Sequence, residues 1–128
     1  MKIRNILFAL LAVFGLSVTS VAAVQLDQPA PDFTLNNVSG TMVSLSGYLG
    51  KTVVLEWTNH ECPYVQKHYG SDNMQSLQRK YTAQDVVWLS IISSAPGKQG
   101  YIDAETANQL TSSRNAAPTQ VLFDPEGK

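Results

Sequence analysis

Residues 52–69 read TVVLEWTNHECPYVQKHY, and this stretch decides how the rest of the chain is organised. Its first part, Thr52–Trp57, is β-branched and nearly continuous in its apolarity, which is the composition of a buried central strand. The next residues are polar, and then the period changes. Cys62 precedes Pro63, and proline is best tolerated at the first helical position, where its missing N–H is not needed. Val65 and Tyr69 then fall on one helical face. A strand runs into a helix here, and Cys62 stands at the junction.

Working outward, Pro29–Leu35 (PAPDFTL) is an extended lead-in to a short strand, because each proline holds its predecessor in extended geometry. NNVSG (36–40) has turn chemistry and TMVSL (41–45) alternates like an edge strand, so the two segments predict a hairpin. SGYLGK is a loop with room for one helical turn. On the other side, GSDN (70–73) interrupts the helix, and Met74, Leu77 and Tyr81 resume an apolar stripe. DVVWLSIIS (85–93) reads as a second buried strand, and SSAPGKQGY as a loop. DAETANQLTSSRN (103–115) predicts a helix capped by Asp103, with Ala107 and Leu110 on its apolar side. TQVLFD (119–124) is a further strand. Strands alternating with helices imply an α/β sheet with right-handed crossovers. Sites in such sheets gather where strands end and helices begin, and that is where Cys62 lies.

At 128 residues the chain predicts one main domain. Its basic residues are few and scattered and its net charge is −1, so no nucleic-acid partner is expected. The opening MKIRNILFALLAVFGLSVTSVAA differs from the rest. Lys2 and Arg4 precede an apolar run from Ile6 to about Val18, and small residues follow, the three parts of a secretory signal. Residues 1–23 are therefore expected to be removed, leaving a domain over 24–128, periplasmic or secreted, with no membrane partner. An uncleaved N-terminal anchor is the alternative, although the apolar run is short for a span. The chain has one cysteine, so an exported form cannot close an internal disulfide.

A sulfur at a helix N-terminus is favoured as thiolate by unpaired backbone N–H groups and the helix dipole. Thiolate is the species that attacks a disulfide or a peroxide. Val65 occupies the position where a C-x-x-C pair would carry its second sulfur, so an outside thiol must complete any cycle that Cys62 begins. His60, two residues before Cys62, is a candidate to stabilise the thiolate or donate a proton; its plainer reading is an exposed loop histidine. His60, Cys62 and His68 form H-x-C-x5-H, which suits soft Cu(I), but only one sulfur is available, and neither a metal nor another cofactor is expected. Trp57, Tyr64 and Trp88 either line a groove beside the sulfur or belong to the core. Arg114 reads as a solvated helix end.

APDFTL, then GTMVSLSGYLGKTVVLEWTNHECPYV, resembles the redoxin branch of the thioredoxin superfamily, which contains alkyl hydroperoxide reductase/thiol-specific antioxidant proteins and exported TlpA-like reductases. PTQVLFDPEGK is similar to a later strand and turn of that family. The resemblance implies a thioredoxin-like fold, a central mixed sheet flanked by helices. It also implies a thiol-dependent oxidoreductase with Cys62 as nucleophile, a peroxide or disulfide as substrate, and an external thiol or disulfide-reductant protein as partner. Glu56, six residues before Cys62, matches the place of a buried acid that relays protons to the thiol; a solvent-facing strand glutamate is the competing reading. Three departures stand out. Val65 replaces the second cysteine, Leu55 and Asn59 replace the proline and hydroxyl residue of the peroxiredoxin motif, and the cis-proline strand, last strand and last helix are absent before Lys128. The domain is thus expected to be incomplete at its C-terminus. Two rival functions remain at this point. One is a non-catalytic binding module contacting its partner through Trp57 and Tyr64; the other is copper delivery.

Overall fold

The computed structural model describes residues 26–127, so the expected signal segment lies outside the described residues. The chain divides after Ala30: residues 26–28 form a turn, and the fold proper begins at Pro31. Strand β1 (Thr34–Asn37) and strand β2 (Met42–Ser44) form the predicted antiparallel hairpin, with Leu35 opposite Val43. Asn37 builds its turn by accepting from the N–H groups of Ser39 and Thr41 through Oδ1. A short 3-10 turn (Leu45–Tyr48) leads to β3 (Val53–Trp57). Helix α1 (Pro63–Gly70) and helix α2 (Asn73–Thr82) connect β3 to β4 (Val87–Ile92). Helix α3 (Ala104–Ser113) connects β4 to β5 (Gln120–Phe123), and Asp103 caps it by accepting from Thr106 N–H at 2.8 Å. That bond holds the Asp103 carboxyl below its ordinary range.

The five strands run in the order β2-β1-β5-β4-β3, with β3, β4 and β5 mutually parallel and β1 antiparallel to β5. This corrects the expectation for Thr52–Trp57. The strand begins at Val53 and, among the described residues, sits at the edge, and the strand buried along its whole length is β4. Apolarity reports which faces of a strand are covered and says nothing about its hydrogen-bonding edges, so the two strands read alike.

Period-two alternation divides the side chains of β4. Val87, Leu89 and Ile91 join Leu35 and Leu122 in one buried cluster. Trp88 and Ser90 turn to the opposite face, where α1 and α2 supply Tyr69 and Gln78. The helical stripe expected on α2 forms, although it is not the deepest part of the helix. Met74, Leu77 and Tyr81 are half-buried, while Gln75 and Gln78 are the residues of α2 that are fully inside. Their partners explain this choice, because Gln78 donates to Glu56 on the sheet and Gln75 to the Tyr69 and Arg114 carbonyls. Among the described residues no helix is long and apolar enough to cross a membrane.

Candidate active site

Cys62 is the N-cap of α1, with extended backbone (φ −67°, ψ 126°) and Pro63 at the first helical position. Its carbonyl accepts from Gln66 N–H at 2.9 Å, which opens the helix, and its own N–H donates to the Asn59 carbonyl at 3.0 Å. The side chain makes no capping hydrogen bond and is partly exposed. The sulfur therefore lies at the mouth of the helix, where the first-turn amides have no intrahelical acceptor. It shares an open groove with Trp57, Val65, Ile91 and Ser93. Trp57 is 61% exposed and Tyr64 75%, so both stand at the surface beside the cysteine.

The loop carrying Cys62 is tied down from two sides. Thr58 N–H donates to Ile91 in β4, and Gln66 Nε2 donates to the His60 carbonyl. Asn59 Oδ1 accepts from Glu61 N–H, and the Glu61 carboxylate accepts from Gly100 N–H at 2.6 Å. Gly100 has φ +81°, and a Cβ there would overlap the Asn59 carboxamide. Only glycine allows the β4–α3 loop to press this closely on the cysteine loop.

Glu56 is not a solvent-facing strand residue. Its Oε1 accepts from the Tyr69 hydroxyl at 2.8 Å, and its Oε2 from Trp88 Nε1 (2.7 Å), Ser90 Oγ (2.9 Å) and Gln78 Nε2 (3.2 Å). Gln78 also donates to Tyr69 Oη and accepts from Ala117 N–H. One carboxylate thus joins α1, α2 and β4, with the segment before β5 attached through Gln78. Burial, and then the neighbouring Glu56 charge, push the Tyr69 phenol well above its ordinary 10.0.

The predicted site residues fall into separate groups. Cys62 meets Trp57 and Val65; Glu56 meets Tyr69, Gln78, Trp88 and Ser90; no hydrogen bond joins Cys62 to Glu56 or His60. His60 is half-buried, which corrects its reading as an exposed loop histidine, and its Nδ1 is buried without a hydrogen-bond partner. Trp88 is core and lies outside the cysteine groove. Arg114, expected in solvent, is half-buried over the Tyr69 ring, 5.0 Å from its centroid. His68 Nδ1 pairs with Asn73 at 2.9 Å, and among the described residues no three acidic, histidine or cysteine side chains are grouped to hold a metal. Sequence reasoning missed Gln78 and Tyr69. An acid inside an apolar strand requires buried donors, and glutamines three residues apart on the following helix were the available signal.

Comparison with known proteins fits this geometry. The model of the AhpC/TSA family matches residues 26–128. No curated protein matches the chain. Among solved structures, a protein from Chlorobium tepidum assigned as the thiol:disulfide interchange protein DsbE is 26% identical, with a TM-score of 0.56, over 77% of this chain and 62% of its own. The exposed lipoprotein thioredoxin of Streptococcus pneumoniae is 26% identical, with a TM-score of 0.52, over 76% of this chain and 68% of its own. A hypothetical protein from Sinorhizobium meliloti reaches a TM-score of 0.67 at 16% identity, over 81% of this chain and 56% of its own, a likeness of fold alone. The chain spans between 51% and 62% of the first such structures. The fold is thioredoxin-like.

Proposed function

The chain belongs to the AhpC/TSA family, within the thioredoxin-fold thiol-disulfide oxidoreductases, and from that premise we propose an exported oxidoreductase whose sole nucleophile is Cys62. The supporting observation is the partly exposed sulfur at the N-cap of α1, open to a groove. With a peroxide, the Cys62 thiolate attacks one oxygen. An S–O bond forms, the O–O bond breaks, and the departing alkoxide or hydroxide takes a proton, leaving a sulfenic acid. An external thiol then displaces water from that sulfur to give a mixed disulfide, and a second external thiol releases Cys62 reduced. With a disulfide substrate, the attack gives the mixed disulfide directly. Val65 stands where a C-x-x-C pair has its second sulfur, so this reading assigns the resolving step to an outside thiol. In this reading Glu56 ties α1 to β4, and the His60 carbonyl holds the loop that presents Cys62 through Gln66. Export rests on residues 1–23, and the processed protein begins near Ala23 or Val24.

The test supplies the reduced protein with hydrogen peroxide or glutathione disulfide, and with dithiothreitol as reductant. Turnover is expected, with dimedone captured on Cys62 during the peroxide reaction. Equal turnover by wild type and Cys62→Ser would refute the reading. A second reading, a binding module without catalysis, draws on the exposure of Trp57 and Tyr64 beside the groove. It requires peptide binding that survives Cys62→Ser together with absence of turnover.

A further inference from the structure

We propose that the cleft between α1 and α3 binds a small aliphatic carboxylate, held by Arg114 and His60 and adjoining the cysteine groove at Thr58. The cleft opens where β3 and β4 end, between Thr58, Ile92 and Gly100 on one side and Ala107, Leu110 and Arg114 on the other. The carboxyl ends of parallel strands are the usual place for ligands in such sheets. Most of its wall is aliphatic, and few of its polar groups lack a protein partner.

Two of its polar groups matter. The Tyr69 hydroxyl and Ser90 hydroxyl line the cleft but already donate to Glu56, and the Thr111 hydroxyl donates to the Ala107 carbonyl. Arg114 has no acidic partner among the described residues, and its guanidinium rests on the Tyr69 ring. His60 contributes a buried ring nitrogen that no protein group satisfies. A half-buried cation and an unsatisfied nitrogen in an apolar cleft are both costly as they stand. An anion that accepts from Arg114, and from His60 in the form that carries a proton on Nδ1, removes both costs, and a guanidinium suits a carboxylate because its two N–H groups match the two oxygens. Glu56, behind Tyr69 and Ser90, is covered by its four donors, and Asp72 is paired with Arg79. The inner part of this half-open cleft has a volume of about 40 Å³. That is room for roughly three or four water-sized groups, which admits the carboxylate and first carbons of a short acid whose end reaches the opening.

The experiment titrates propionate into the full chain carrying Cys62→Ser, so that sulfur chemistry plays no part, and follows backbone amide shifts by NMR. Saturable shifts are expected at Gly100, Ala107 and Arg114, with propionamide at equal concentration leaving them in place. Arg114→Gln should weaken propionate binding roughly tenfold or more, as loss of a charge-assisted pair does. Should that variant not fold, His60→Phe tests the second group and should also weaken binding. Absence of saturation, an equal response to propionamide, or unchanged affinity in the folded variant overturns the proposal. Failure of the redox reading would leave this result untouched, because the titration does not use the thiol.

Discussion

Tyr69 shows how much one side chain can control. Its hydroxyl donates to Glu56 and accepts from Gln78, its ring carries Arg114, and its backbone carbonyl accepts from Gln75. Ionising it inside the fold would bury a charge and set phenolate against carboxylate, so its folded pKa lies above the unfolded value of 10.0. The direction of the pH effect follows from this. Below about pH 10 both states hold the proton and the contribution is complete; above it the unfolded chain releases the proton first, and stability falls as pH rises. Tyr69→Phe should therefore be less stable than wild type at neutral pH but lose less between pH 9 and pH 11. Urea midpoints at both pH values check this, and parallel losses would disprove it. The site is legible at this scale only in part. Cys62 and Pro63 declared the strand-to-helix junction through proline chemistry, which is local. The partners of Glu56 come from 13 to 34 residues away, and no local rule selects them.

At the scale of elements, the helix boundaries were readable because they rest on local chemistry: Pro63 and Asp103 at starts, and the GSDN break between α1 and α2. The deepest face of α2 is set by a tertiary demand. Apolar periodicity selects Met74, Leu77 and Tyr81, which lie half-buried, but the half-buried Glu56 carboxylate demands donors, and Gln78 meets that demand with no exposure at all. The loops flanking α1 and α3 depend on each other through Gly100. Gly100→Ala adds a Cβ at positive φ against Asn59, and should cost about 2–4 kcal/mol from strain and overlap together. Chemical denaturation measures the loss. Alkylation of Cys62 should change in rate as well, since Asn59 and Glu61 hold its loop; an unchanged rate would show that the loop is positioned by α1 alone.

For the whole molecule, the order of strands is what sequence could not supply. Hydrophobic runs marked β3, β4 and β5 correctly as strands, yet which of them stood at the edge depended on pairings across the chain. The outer edge of β3 meets no strand among the described residues, and it ends in the exposed Trp57.

The chain's only two tryptophans occupy opposite surroundings, Trp88 at 6% exposure with its indole N–H on a carboxylate and Trp57 at 61% in the groove of Cys62. The protein consequently contains two optical reporters. Iodide should quench the red-shifted emission of one and spare the blue-shifted emission of the other. Oxidation of the neighbouring sulfur can then be followed through the first while the second records whether the interior is still intact, with no dye attached.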